Sequence, residues 1–203
     1  MASSVRVRLL HAAVRKRILK LTETRPDYYS VEKLGIPIND LDCIGTIGTF
    51  STLLIWLGLP RQGVWMRDEE AVDYIALWRL VAYYLGNPTE PFENPERARA
   101  MLESLLLSEI QPTSMSQVLA NNIITSLENT PPAYASRGFS EANAWWLNGK
   151  KLSTALAIRS PSLYYSTLMF GYCLFASMSC YIVRSWPALD RNRIAVSCRS
   201  KAL

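Results

Sequence analysis

Histidine occurs only once in this sequence, at His11, and no Ser-His-Asp relay is legible around it. There is no glycine-rich phosphate loop and no pair of carboxylates at metal-ligand spacing. The four cysteines, Cys43, Cys173, Cys180 and Cys198, form no C-x-x-C pair and have no histidine nearby, which argues against zinc and redox motifs. They read as ordinary small, buried residues of an intracellular chain. Low-complexity tracts, fixed-period repeats and N-x-S/T sequons are missing, and no continuous apolar secretory core follows the first residues. Acids are missing from one place in particular: the first 22 residues carry Arg6, Arg8, Arg15, Lys16, Arg17 and Lys20 and no Asp or Glu. A basic end of this kind meets phosphates, anionic lipid or the carboxylates of a cofactor. No basic stripe with interleaved aromatics recurs further on, so nucleic acid is not an expected partner. A mitochondrial transit peptide is an alternative reading of the same residues.

What the chain has is 203 residues, about half of them apolar, enough for one all-α domain over 1–203 with a substantial core. Apolar residues recur at helical spacing over 3–21, placing Val7, Leu10, His11, Val14, Ile18 and Leu21 on one face. Residues 22–40 read as a long ordered loop that ends in Asn39 or Asp40 as a helix cap. Leu41–Leu59 predicts a buried helix rich in small residues. Asp68–Glu70 suit the first turn of a helix that closes at Gly86. Further helices are predicted over 94–109, 113–128 and 140–159. Pro161–Val183 holds 23 residues without a charge, long enough to cross a bilayer. Its serines and four tyrosines favour the central helix of a large helical core over a membrane span.

One constellation points to chemistry. Arg8 precedes His11 by three residues and Arg15 follows it by four, so both flank the imidazole on the helix surface. Imidazole is a good iron ligand. A haem against this face would stack on Leu10 and Val14, come close at Ala12 and Ala13, and offer its propionates to Arg8 and Arg15. From spacing alone, a lone histidine on an apolar face is more often a hydrogen-bonded core residue. Asp42 and Arg79 read as a mutually paired or solvent-edge couple. Thr46 and Thr49 read as hydroxyls bonded to backbone carbonyls, and Trp145 and Trp146 as core.

The segment RVRLLHAAVR at residues 6–15 resembles the R-x-R-L-x-H-A-x-V-R signature of the latex-clearing-protein, or rubber oxygenase, family, which includes the fungal ER-bound oxygenase of mycophenolic acid biosynthesis. PINDLDCIGTIGTFS and YIALWRLVAYYLG resemble later segments of that family, in the same order. The resemblance implies an all-helical, globin-like-to-bundle haem-binding fold with His11 as proximal ligand of haem b iron and with Arg8 and Arg15 as cofactor-binding residues. It implies an oxygenase that activates dioxygen on a hydrophobic, isoprenoid-like substrate, with membrane association at the endoplasmic reticulum. Family members carry a longer region before the signature, with a distal-pocket arginine, threonine and acidic base that have no counterpart in this sequence. The expectation is therefore a domain incomplete at its N-terminus and inactive by itself. The alternative is a non-catalytic helical protein that binds a membrane or a partner.

Overall fold

The computed structural model describes residues 2–186, and among them there are helices and turns but no strand. The fold class is all-α. The contacts divide the chain into two compact units, one made of the chain up to Leu57 with Met66–Ile110, the other of Gly58–Trp65 with the chain from Gln111 onward.

In the first unit, α1 (Ala2–Thr24) packs on α3 (Asp68–Leu85), and α2 (Asp40–Phe50), α3 and α4 (Pro95–Ser108) pack on one another. Local chemistry explains the boundaries. Asn39 caps α2 in a reciprocal box: its side chain accepts from the Asp42 backbone N–H, and the Asp42 carboxylate accepts from the Asn39 N–H, both at 3.0 Å. Asp42 is thus a capping acid and not the partner of Arg79, which is exposed and in no ion pair among the described residues. Three acids open α3, and Gly86 closes it in the left-handed region at φ 78°. Asn94 caps α4 ahead of Pro95. The long loop contains short helical turns at Pro26–Tyr28 and Val31–Leu34.

The helix expected over Leu41–Leu59 is regular only to Phe50. Ser51 leaves helical geometry, a π turn follows at Leu54–Gly58, and the Ser51 and Thr52 hydroxyls donate back to the Ile47 and Gly48 carbonyls. It is also less buried than expected. Cys43, Ile47 and Ile55 join Ile75, Ala82, Phe92, Ala98 and Leu102 in the core, while Leu41 and Phe50 stay exposed. A segment apolar all round must contact neighbours on every side to be buried, and this one is covered only on part of its circumference.

In the second unit, α6 (Arg137–Ala155) packs against α5 (Ser114–Leu127) and α7 (Leu163–Ser185). Ser136 caps α6 earlier than the expected start, and Gly149 kinks it with φ 77° and ψ 169°. The core gathers Ala142, Met169 and Cys173, with Phe139, Trp146 and Tyr165 against them. Glu141 is buried and accepts from Arg137 Nε at 2.9 Å. Both tryptophans of the pair are satisfied: Trp145 donates to the Ile158 carbonyl and Trp146 to that of Arg61. The expectation that α7 is a central core helix needs correction, since only 11 % of its most apolar stretch is buried. Met169 and Cys173 face inward, but Leu163 (84 %) and Phe175 (72 %) are open, because α6 and the Gly58–Trp65 segment cover only part of α7. Cys43 and Cys173 are buried as expected and Cys180 is half-buried; Cys198 lies outside the described residues.

Candidate functional site

The candidate site lies wholly in the first unit, in a cavity of about 320 Å3. Helix α1 contributes Ser3, Ser4, Val7 and His11, α2 contributes Cys43, Thr46, Ile47 and Phe50, and α3 contributes Trp78, Val81 and Leu85. Asn87, just past the end of α3, completes the lining. Each set follows helical spacing, so three stripes converge on one slot. Phe50 and Trp78 stack in parallel, 5.9 Å between centroids, as one wall of it. The Tyr74 hydroxyl fixes that wall by donating to the Phe50 carbonyl at 2.8 Å.

His11 is half-buried, and its imidazole makes no hydrogen bond among the described residues, so its lone pair is uncommitted. The slot does not use the whole apolar face read from the sequence. Leu10 (60 %) and Val14 (37 %) are exposed, and Ser4 and Val7 stand beside the imidazole in their place. Ser4, Val7 and His11 form a stripe of three- and four-residue steps, whereas Leu10 is rotated about 100° from His11 at 3.6 residues per turn. A surface flanked by neighbours on one side can take only one such stripe.

Neither Arg8 nor Arg15 is among the residues that line the His11 cavity; each is held elsewhere by the fold. Arg15 Nε donates to the Pro37 carbonyl at 3.0 Å and its Nη2 to that of Ile38. Ile38 sits at φ 56°, costly for a β-branched residue, and the guanidinium secures that turn. Arg8 lies against Gly86, where an added Cβ would come within 2.8 Å of Arg8 Cζ. A cation there also meets the negative end of the α3 dipole.

Two further features were not legible in the sequence. The buried Nε1 of Trp78 lacks a hydrogen-bond partner, and its side chain lines the His11 slot. Cys43, on the α2 wall, has its thiol pKa raised above the ordinary 9.0, first by burial and then by the Asp42 charge; Arg15, Asp40 and Asn87 act more weakly. It is therefore held as a neutral thiol at neutral pH. The stripes themselves could have been found by helical spacing, but nothing in the sequence tells which of them face one another.

Thr46 and Thr49 donate to the Asp42 and Thr46 carbonyls, as expected. On the opposite face of α2, a second cavity of about 260 Å3 is lined by residues that include Gly45, Gly48, Leu102 and Leu105.

The donor set bears on which metal species this unit suits. No group of three or more His, Cys, Asp or Glu side chains gathers among the described residues, so a bare ion has no protein cage there. A haem brings four nitrogen ligands of its own and asks the protein for as little as one imidazole and an apolar wall. His11 and the slot beside it fit that requirement.

Residues 1–176 match the family described as "ER-bound oxygenase mpaB/B'/Rubber oxygenase, catalytic domain". The matched stretch includes residues of both units. Comparison with curated proteins and with solved structures returns no match.

Proposed function

The chain belongs to the family of ER-bound oxygenase mpaB/B' and rubber oxygenase catalytic domains, and from that premise we propose that it is a haem-b-dependent oxygenase acting on a hydrophobic, isoprenoid-like small molecule. The observation that carries this reading is His11, whose uncommitted imidazole lines an apolar slot between three helices. When bound, haem b supplies the redox chemistry that activates dioxygen.

The chain's own part is binding and exclusion. His11 would hold the iron through an imidazole nitrogen. Phe50, Trp78, Val81 and Ile47 give the porphyrin an apolar wall and keep water from it. Arg8 and Arg15 stand three residues before and four after His11 on α1, outside the cavity lining, and would reach propionates only at its rim; Arg15 also holds the Pro37–Ile38 turn. Cys43 is kept as a neutral thiol and leaves ligation to the histidine.

The test is spectroscopic. Hemin added to the purified chain should give a Soret band that saturates near one equivalent, and His11→Ala should abolish it while the helical circular dichroism is retained. An identical band in the variant would refute the assignment.

A membrane association, as the family description suggests, is supported by α7. This helix has no charge from Leu163 to Val183 and leaves much of its apolar surface open. Tyr164 and Tyr165 stand near one end, Tyr181, Arg184 and Trp186 near the other, which is the distribution that suits a helix bounded by two lipid interfaces.

A further inference from the structure

Helix α5 is built the reverse way round from a water-facing helix, which turns apolar residues to its neighbours and polar ones outward. In α5 the polar side chains point in. Gln117 Nε2 donates to the Ala155 carbonyl at 3.0 Å, and Asn121 Nδ2 to those of Leu156 and Ala157 at 3.4 and 3.5 Å. They serve carbonyls left open at the end of α6, with Ile124 buried beside them. Outward stand Met115, Val118, Leu119, Ile123 and Leu127, each at least half exposed, an apolar arc about 180° wide at 3.6 residues per turn. No charged residue interrupts the chain from Ile110 to Leu127.

The surroundings of this helix are basic. The end of α6 and the turn into α7 carry Lys150, Lys151 and Arg159, all exposed and in no ion pair among the described residues. No Asp or Glu occurs from Ala142 to Trp186. Of the acids described in this unit, Glu141 is held by Arg137 and Glu128 follows the last turn of α5. The carbonyls that Gln117 and Asn121 bind belong to the same turn, so the apolar arc and the cations gather at one end of α7, the end that carries Tyr164 and Tyr165. Apolar surface beside unbalanced positive charge matches hydrocarbon beside anionic headgroups. A nucleic acid would answer the cations and leave the arc in water; a neutral lipid surface would answer the arc alone.

We propose that α5 lies in the interface of a bilayer that contains anionic lipid, its apolar arc among the acyl chains and Lys150, Lys151 and Arg159 on the headgroups. With 14 residues it is about 21 Å long, too short to cross, and so lies along the surface. This rests on the membrane reading of α7 and adds to it a second lipid-contacting element and a class of lipid.

The experiment titrates the full chain with vesicles of phosphatidylcholine, alone or mixed with phosphatidylserine, and reads binding by co-sedimentation. Wild type should bind the phosphatidylserine vesicles ~10-fold or more tightly, and added salt should erase the gain, since each cation near an anionic surface gives about fivefold. Lys150→Gln with Lys151→Gln and Arg159→Gln should lose most of that preference and keep its binding to phosphatidylcholine. Leu119→Asp with Ile123→Asp should weaken binding to both vesicles by ~10-fold or more, because two apolar contacts with the acyl chains are lost. Melting temperatures of both variants should match wild type, as every replaced residue is exposed. Equal binding of wild type to the two vesicles, a preference that the triple variant keeps, or unchanged binding by the α5 variant would each overturn the proposal and leave the α7 reading standing. A wild type that binds neither vesicle would refute both.

Discussion

His11 and Trp78 face the same slot, and each keeps a ring nitrogen that the protein does not use. For the indole this has a measurable cost. Trp78→Phe keeps a ring against Phe50 and removes the unpaired donor, so the apoprotein's denaturant midpoint should stay the same or rise slightly. Trp78→Ala loses the stacked ring as well and should cost ~2–4 kcal/mol, somewhat under the value for a fully buried aromatic. Cys43 gives a pH prediction. Burial raises its pKa in the folded state, so its contribution to stability is complete below the unfolded thiol value and declines as pH rises through the folded one. Wild type should therefore lose stability above about pH 9 more steeply than Cys43→Ala, as read from urea midpoints across pH. The sequence marked His11 and the two arginines because residue type and helical spacing carry that information. Asn87 was not visible in it, since an asparagine after a helix-ending glycine reads only as punctuation, and its place in the cavity lining follows from how α1, α2 and α3 pack.

At the scale of elements, the capping residues did most to make the helices legible. Asn39, Asn94 and Gly86 each do in the structure what their residue types favour. Two interruptions are not anticipated by the helical spacing, although residue types mark them: the break falls on Ser51 and Thr52, whose hydroxyls bond back to the backbone, and the kink on an Asn-Gly pair at 148–149. The two glycines differ in a way that can be tested. Gly86 is in the left-handed region, which other residues can enter at modest cost, though Arg8 would have to shift to admit a methyl group. Gly149, at φ 77° and ψ 169°, is in a region open essentially to glycine alone, although nothing lies within 4 Å of its missing Cβ. Gly86→Ala should lower stability by ~1–2 kcal/mol, and Gly149→Ala by more, despite its empty surroundings. Thermal melts that rank them in the opposite order would show that crowding, and not backbone conformation, dominates.

At the scale of the whole molecule, hydropathy alone left the role of the last long helix ambiguous. A charge-free stretch reads the same whether protein or lipid surrounds it, and in the structure much of α7 is left open. If this helix engages a bilayer, the wild-type chain should float with phosphatidylcholine vesicles and resist carbonate extraction. Phe175→Lys with Leu168→Lys should release it, since each lysine would put a charge into the hydrocarbon. The short piece Gly58–Trp65 has a separate consequence for topology. The polypeptide leaves the His11-bearing unit at Leu57, returns at Met66 and leaves again after Ile110. In between, the Arg61 carbonyl accepts from Trp146 and the Trp65 carbonyl from Arg184, while the Trp65 N–H donates to Tyr181. The halves are therefore interleaved along the chain. A chain ended at Ile110 would retain His11 and all of its cavity, yet strand an eight-residue graft whose anchors had been cut away.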